Sequence, residues 1–154
     1  MQLFKRVIGG LVLALLVSSN AQAEEGEFSL GVATITPNGV TAKYWTSDVT
    51  AIEVFGSWSF NSEEYKFHVN LLLHDFDKIQ LEGERIAFYY GGGIRIKEEK
   101  NKDTRLGVRI PFGVSYFTQS VPVEFFGEAT PRINIYPSTN FGLDLMVGLR
   151  YRFI

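Results

Sequence analysis

In this chain of 154 residues the side chains best equipped for chemistry are charges at even spacing near the C-terminal end: Glu124, Glu128 and Arg132, then Asp144, Arg150 and Arg152, with Arg109 upstream. Even spacing keeps residues on one face of an extended strand, because successive side chains point to opposite sides of a pleated backbone. Opposite charges facing each other on neighbouring strands pair, and a buried charge without a partner is costly. A hairpin turning at Ser138 sets Arg132 opposite Asp144 and Glu124 opposite Arg152. It also sets Glu128 opposite Gly148, with room to reach Arg109 or Arg150. The expected role is a structural ion-pair core; a gated ion path is the functional alternative.

A second set, Lys66, Arg95 and Arg105, is all cationic. With Arg95 and Arg105 facing each other across a turn, and Lys66 on the next strand, like charges repel unless an anion lies between them. Either Glu63, Glu64, Glu98 and Glu99 neutralise them, or they form an anion site for a phosphate or sugar acid.

A third set could support hydrolysis. Ser57, Ser59 and Glu53 share one phase of a strand, and the chain's two histidines, His68 and His74, share one phase of the next. A nucleophilic serine needs its base within hydrogen-bond reach, and no local His-x-Ser pattern occurs, so no catalytic residue is expected. The histidines are six residues apart, about 20 Å along a strand, and there is no cysteine, so no metal or cofactor is expected either. Gly91-Gly92-Gly93 sits within an alternating segment beside Tyr89 and Tyr90 and reads as relief of curvature.

The elements that must position these residues are strands. In Asn140 to Ile154, Phe141, Leu143, Leu145, Val147, Leu149, Tyr151 and Phe153 fall on one face and Asn140, Gly142, Asp144, Gly148, Arg150 and Arg152 on the other. The same period of two runs through 28–35, 40–45, 49–60, 64–74, 85–97, 104–117 and 121–136, with Phe55 out of phase. Thr36-Pro37-Asn38-Gly39, Ser47-Asp48, Asn61-Ser62-Glu63, the charged stretch 98–103 and Pro137-Ser138-Thr139 mark turns. Eight strands on short connections describe an all-β, antiparallel up-and-down meander that closes into a barrel. Pro111 and Pro131, inside strands, each remove a ladder donor, so bulges are expected there.

The N-terminal end reads differently. Lys5 and Arg6 precede an apolar run, Val7 to Val17, and Ala21-Gln22-Ala23 is a small-x-small cleavage pattern. Residues 1–23 are therefore expected to be a secretory signal peptide and 24–154 the barrel. The rest, about 130 residues, suffices for one domain. A net charge of −2 gives no reason to expect nucleic acid as a partner.

Alternation alone does not say which face points inward. Three features favour a transmembrane barrel over a soluble one: the density of charge on the polar face, the export signal with an aromatic-ended final strand, and the position of the aromatics. Phe28, Tyr44, Phe88, Tyr116, Phe125, Tyr151 and Phe153 fall at one rim; Trp58, Phe60, Tyr65, Tyr136 and Phe141 fall at the other. Two aromatic girdles around an aliphatic band are what the two lipid interfaces favour.

The stretches AKYW (42–45), HDFD (74–77), YYGGGIR (89–95), GVRIPFGVSYF (107–117) and YPSTNFGLDLMVGLRYRF (136–153) resemble a family of short bacterial outer-membrane proteins of unknown function. The plan is similar to the eight-stranded barrels typified by OmpX and the transmembrane domain of outer membrane protein A. Members usually end on the aromatic itself, whereas Ile154 follows Phe153 here. The resemblance implies a Gram-negative outer-membrane location with both termini in the periplasm, and as partners the membrane lipids, lipopolysaccharide and the assembly machinery, the protein being a monomer. An eight-stranded barrel has an interior that side chains can fill, so no open pore is expected. The leading expectation is a structural or envelope-integrity protein. The alternatives are a surface interaction or adhesion protein acting through short loops, and, least favoured, an enzyme modifying lipid A.

Overall fold

The computed structural model describes residues 26–34, 38–59, 61, 63–77 and 85–153. The expected signal peptide, Thr36-Pro37, Phe60 and Ile154 lie outside them. Every regular element among the described residues is a strand: β1 (Phe28–Thr34), β2 (Gly39–Trp45), β3 (Thr50–Ser59), β4 (Glu64–Asp75), β5 (Arg85–Glu99), β6 (Arg105–Arg109), β7 (Phe112–Phe117), β8 (Val123–Tyr136) and β9 (Asn140–Phe153). All pairings are antiparallel. They run β4-β3-β2-β1-β9-β8, continue from β8 to both β6 and β7, pass to β5, and return to β4. The ring is closed, so no strand is left with an unpaired edge.

Nine strands occupy eight positions in this ring. Ile110 and Pro111 interrupt the sixth expected strand and split it into β6 and β7. The interruption leaves the register intact: Gly93 pairs Arg109 before it and Tyr90 pairs Phe112 after it, with Pro111 accepting a hydrogen bond from the Gly91 amide. The missing proline donor costs one ladder bond without adding a residue. The bulge expected at Pro131 does not form either: Pro131 sits in unbroken register opposite Leu143. The irregularity lies elsewhere. Between Leu106 and Gly107 the partner changes from Tyr136 to Asn134, which leaves Ile135 as the extra residue.

The two faces separate cleanly. Buried on the inner face are Thr41, Lys43, Glu53, His68, Asn70, His74, Arg95, Arg109, Glu124, Glu128, Thr130 and Arg150. The outer face carries large exposed apolar groups on almost every strand, including Val32, Ile52, Leu71, Ile94, Val108, Val114, Leu145 and Val147. A soluble barrel has the opposite arrangement. Charged residues inside and an apolar band outside are stable only with lipid against the wall.

The register also assembles the girdle at the end of the barrel that carries both termini. Tyr44 pairs Phe28, Phe28 pairs Phe153, and Tyr116 pairs Phe125, so aromatics follow one another around the rim, with Phe28 buried and stacked on Phe153. At the other end Trp58 pairs Tyr65, and Tyr136 and Phe141 are exposed near the β8–β9 turn.

Candidate functional site

The expected chemical residues of the inner face meet in the lumen, which is built in layers. At the end carrying the termini, Trp45, Phe117 and the partly buried Phe76 pack with Ala51 and Ala87. Arg85 lies over the rings of Phe76 and Phe117, at 4.8 and 5.1 Å, and Arg152 over Phe117 at 5.3 Å. Arg152 Nε donates to Glu27 Oε1 at 2.6 Å.

The next layer is ionic. Glu124 receives Lys43 Nζ at 2.8 Å on one carboxylate oxygen and Arg150 Nη1 at 2.9 Å on the other. Arg150 also reaches the Glu53 carboxylate and Thr41 Oγ1, and its guanidinium lies 3.8 Å from the Phe126 ring centre. Lys43 completes its shell with His74 Nε2 at 2.8 Å. Lys43, Glu53, Glu124 and Arg150 are all essentially inaccessible, so each charge depends on the others for stabilisation.

Between this layer and the next is an apolar plug of Ala33, Phe55, Leu72, Tyr89, Phe126 and Met146. Glycines on the adjacent strands make room for its rings. A Cβ at Gly113 would collide with the Tyr89 ring, one at Gly39 with Phe55, and one at Gly148 with Phe126. Tyr89 Oη in turn donates to Glu128 Oε2 at 2.9 Å. Glu128 belongs to the second polar layer, where Arg109 Nη2 donates to Glu128 Oε1 at 2.9 Å and to Thr130 Oγ1 at 3.1 Å. His68 contacts Arg109 through Nδ1 and stacks on Phe55, and Asn70 Nδ2 donates to Glu53 Oε1 at 2.8 Å.

Nearer the other mouth, Arg132 Nε donates to Asp144 Oδ1 at 2.9 Å and Arg95 Nη1 to Asn134 Oδ1 at 3.0 Å. At the rim, Lys66 and Lys97 share Glu64, at 3.3 and 3.4 Å, and Lys97 and Lys102 share Glu99, at 2.7 and 2.9 Å.

Several expected juxtapositions change. The β8–β9 register is displaced by two residues from a turn at Ser138: Glu124 faces Arg150, Arg132 faces Gly142, and Glu128 faces Met146. Arg152, expected to meet Glu124, is held by Glu27. Arg132 still reaches Asp144, now across a diagonal, and Glu128 takes Arg109 rather than Arg150. Arg95 and Arg105 do not face each other. Arg95 is opposite Gly107 and Arg105 opposite Lys97, while Lys66, across from Lys97 on the other side, pairs with Glu64.

Ser57 makes no hydrogen bond to His68 or His74. Ser57 Oγ is buried without a hydrogen-bond partner, while His68 lies against Arg109, 3.8 Å from Glu53, and His74 against Lys43.

Of the plug, Phe55 is legible in the sequence as the apolar residue out of phase, whereas Leu72, Tyr89, Phe126 and Met146, like Glu27, were not expected in the lumen. The plug leaves a signal in hindsight: Leu72, Tyr89, Phe126 and Met146 each stand beside an outward apolar residue, in LLL, YY, FF and LMV. Such a doublet in an alternating strand means that one of its members points into the lumen.

No family model and no curated protein matches the chain. Solved structures do. The N-terminal β-barrel domain of Pseudomonas aeruginosa OprF superposes with a TM-score of 0.63 at 8% identity, over 83% of this chain and 98% of that one. A de novo designed transmembrane β-barrel superposes with a TM-score of 0.51 at 15% identity, over 85% of this chain and 98% of that one. At these identities the likeness is one of fold, and the fold is that of a transmembrane β-barrel.

Proposed function

We propose that this protein is a bacterial outer-membrane barrel with a closed, ion-paired lumen, and that its role is structural, in the integrity of the envelope, rather than conduction or catalysis. The observation that carries this reading is the ionic layer of Lys43, Glu124, Arg150 and Glu53, which spans the lumen directly beneath a plug of aromatic rings. An ion crossing the barrel would have to break these pairs and displace Tyr89, Phe55 and Phe126, which the adjoining glycines seat against the wall. The fold likeness and the apolar exterior support a place in a bilayer. The leader-like residues 1–23 support export, with cleavage before Glu24 and both chain ends in the periplasm. That orientation puts the three-residue turn 137–139 and the stretch 100–104 on the cell surface. The latter is tied to the barrel by Lys100–Glu63 at 3.2 Å and Lys102–Glu99. Short, anchored connections give little surface for an adhesin. The lack of a hydrogen bond between Ser57 Oγ and either histidine supports a non-enzymatic reading.

The test has two arms. In planar bilayers the purified barrel is expected to give no steady ion-conducting level; a stable open level would overturn the closed lumen. In cells, deletion of the gene is expected to raise sensitivity to detergents and bile-type amphiphiles, with rescue by the intact gene. Unchanged sensitivity would remove the envelope role while leaving the fold untouched.

A further inference from the structure

We propose that the lumen mouth opposite the chain termini is a binding site for a phosphate group, built on Arg95 and Arg105. Most cations of the lumen are paired. Lys43 has Glu124, Arg109 has Glu128, Arg132 has Asp144, Arg150 has Glu53 and Glu124, and Arg152 has Glu27. Arg95 is more than nine-tenths buried, yet among the described residues it has no carboxylate in ion-pair range and one hydrogen bond, to Asn134. A guanidinium has five N–H donors, and leaving a buried one short of an anion is expensive. Of its charged neighbours Asp144 is favourable but is already engaged by Arg132, while Arg132, Arg109 and Arg105 all repel it.

The local fold holds Arg95 in this position. Gly107, opposite Arg95 on β6, has no side chain, so the arginine crosses β6 to reach Asn134 on β8; a Cβ at Gly107 would meet Arg95 Cγ at 3.2 Å and Asn134 Oδ1 at 2.8 Å. Asn134 is itself fixed, donating through Nδ2 to Asn140 Oδ1 at 2.7 Å. Arg105 is the next inward position on β6 toward the mouth, diagonal to Arg95. It has no ion pair among the described residues, and the rim carboxylates Glu64 and Glu99 pair with Lys66, Lys97 and Lys102. The result is two guanidinium forks without an ion pair among the described residues at neighbouring inward positions, one oriented from behind and one at the entrance. Planar forks in that arrangement match a tetrahedral oxyanion, which takes paired N–H donors from each. Lys66 belongs to the rim network and not to this site.

The phosphate could be free in solution or borne by lipopolysaccharide, and the experiment separates the two. The folded full-length barrel in detergent micelles is titrated with inorganic phosphate while the amide resonances of Gly107 and Asn134 are followed. The expected result is a saturable shift that weakens at least about tenfold in Arg95→Gln and in Arg105→Gln and is unchanged in Lys100→Gln, a rim cation outside the site. Arg95→Lys, which keeps the charge and loses the fork, is expected to weaken binding as well. Should Arg95→Gln fail to fold, as judged by heat-modifiable migration, Arg105→Gln at the entrance carries the test alone. Repeating the titration in vesicles with lipopolysaccharide assigns the source: loss of the phosphate shift means that the lipid's own phosphate occupies the site, and an unchanged shift means that free phosphate does. No saturable shift in the wild type, or equal weakening by Lys100→Gln, would overturn the proposal without touching the closed-lumen reading.

Discussion

Glu124 and Arg150 face each other across the β8–β9 ladder, and the carboxylate that accepts Arg150 Nη1 at 2.9 Å also accepts Lys43 Nζ at 2.8 Å from β2. One buried acid thus joins the two halves of the ring across the lumen, and it is the natural place to ask what the ionic layer contributes.

Replacing Glu124 by Gln keeps the shape and removes the charge. Lys43 would keep only His74 and ring faces, and Arg150 would keep Glu53. Breaking a buried pair from one side typically costs about 3–5 kcal/mol. A loss in that range is expected in urea unfolding of the barrel in lipid vesicles. The double variant Glu124→Gln with Lys43→Met, which leaves no stranded ammonium, is expected to be more stable than Glu124→Gln alone. If the two are equally unstable, the charge pairing is not what holds this layer.

The lipid-facing assignment makes a depth-dependent prediction. Val147 and Ile135 are equally exposed, 58% each, but Val147 is the middle outward residue of β9 and Ile135 lies next to the end of β8. Arginine at the bilayer midplane of a barrel costs about 2–4 kcal/mol, falling to about 0–1 near the interface. Val147→Arg should therefore destabilise the barrel in lipid clearly more than Ile135→Arg. Equal, small effects would mean that this wall does not face a bilayer.

The sequence carried the faces of the strands better than their alignment, for a definite physical reason. A slip of one residue turns a strand's apolar side inward, so hydrophobic alternation forbids it. A slip of two leaves every residue on its own face. That is the error separating a Glu124–Arg152 pairing from the observed Glu124–Arg150, and it moved Arg95 from Arg105 to Gly107. The choice is made by packing that alternation does not encode, such as a ring seated on a glycine one strand away. Glu27, which pairs with Arg152, is not legible because it precedes the first alternating stretch.

The seating of Tyr89 on Gly113 offers the sharpest test of that packing. The two strands pair Tyr89 directly with Gly113, and a Cβ there would strike the phenol ring and come within 2.7 Å of the Gly127 carbonyl oxygen. Gly113→Val should push Tyr89 from its place and break its hydrogen bond to Glu128, and overpacking of this kind costs about 1–3 kcal/mol. Tyr89→Ala alone removes a fully buried ring, a loss of about 3–5 kcal/mol by analogy with other buried aromatics. With the ring gone only the approach to the Gly127 carbonyl remains, so adding Gly113→Val to Tyr89→Ala is expected to cost less than Gly113→Val does alone. The double variant should then be less damaged than the two single losses added together, a coupling that equilibrium unfolding of the four proteins measures directly. Strict additivity would mean that the glycine serves the backbone of β7 rather than the ring, and the account of how the plug is held would fall.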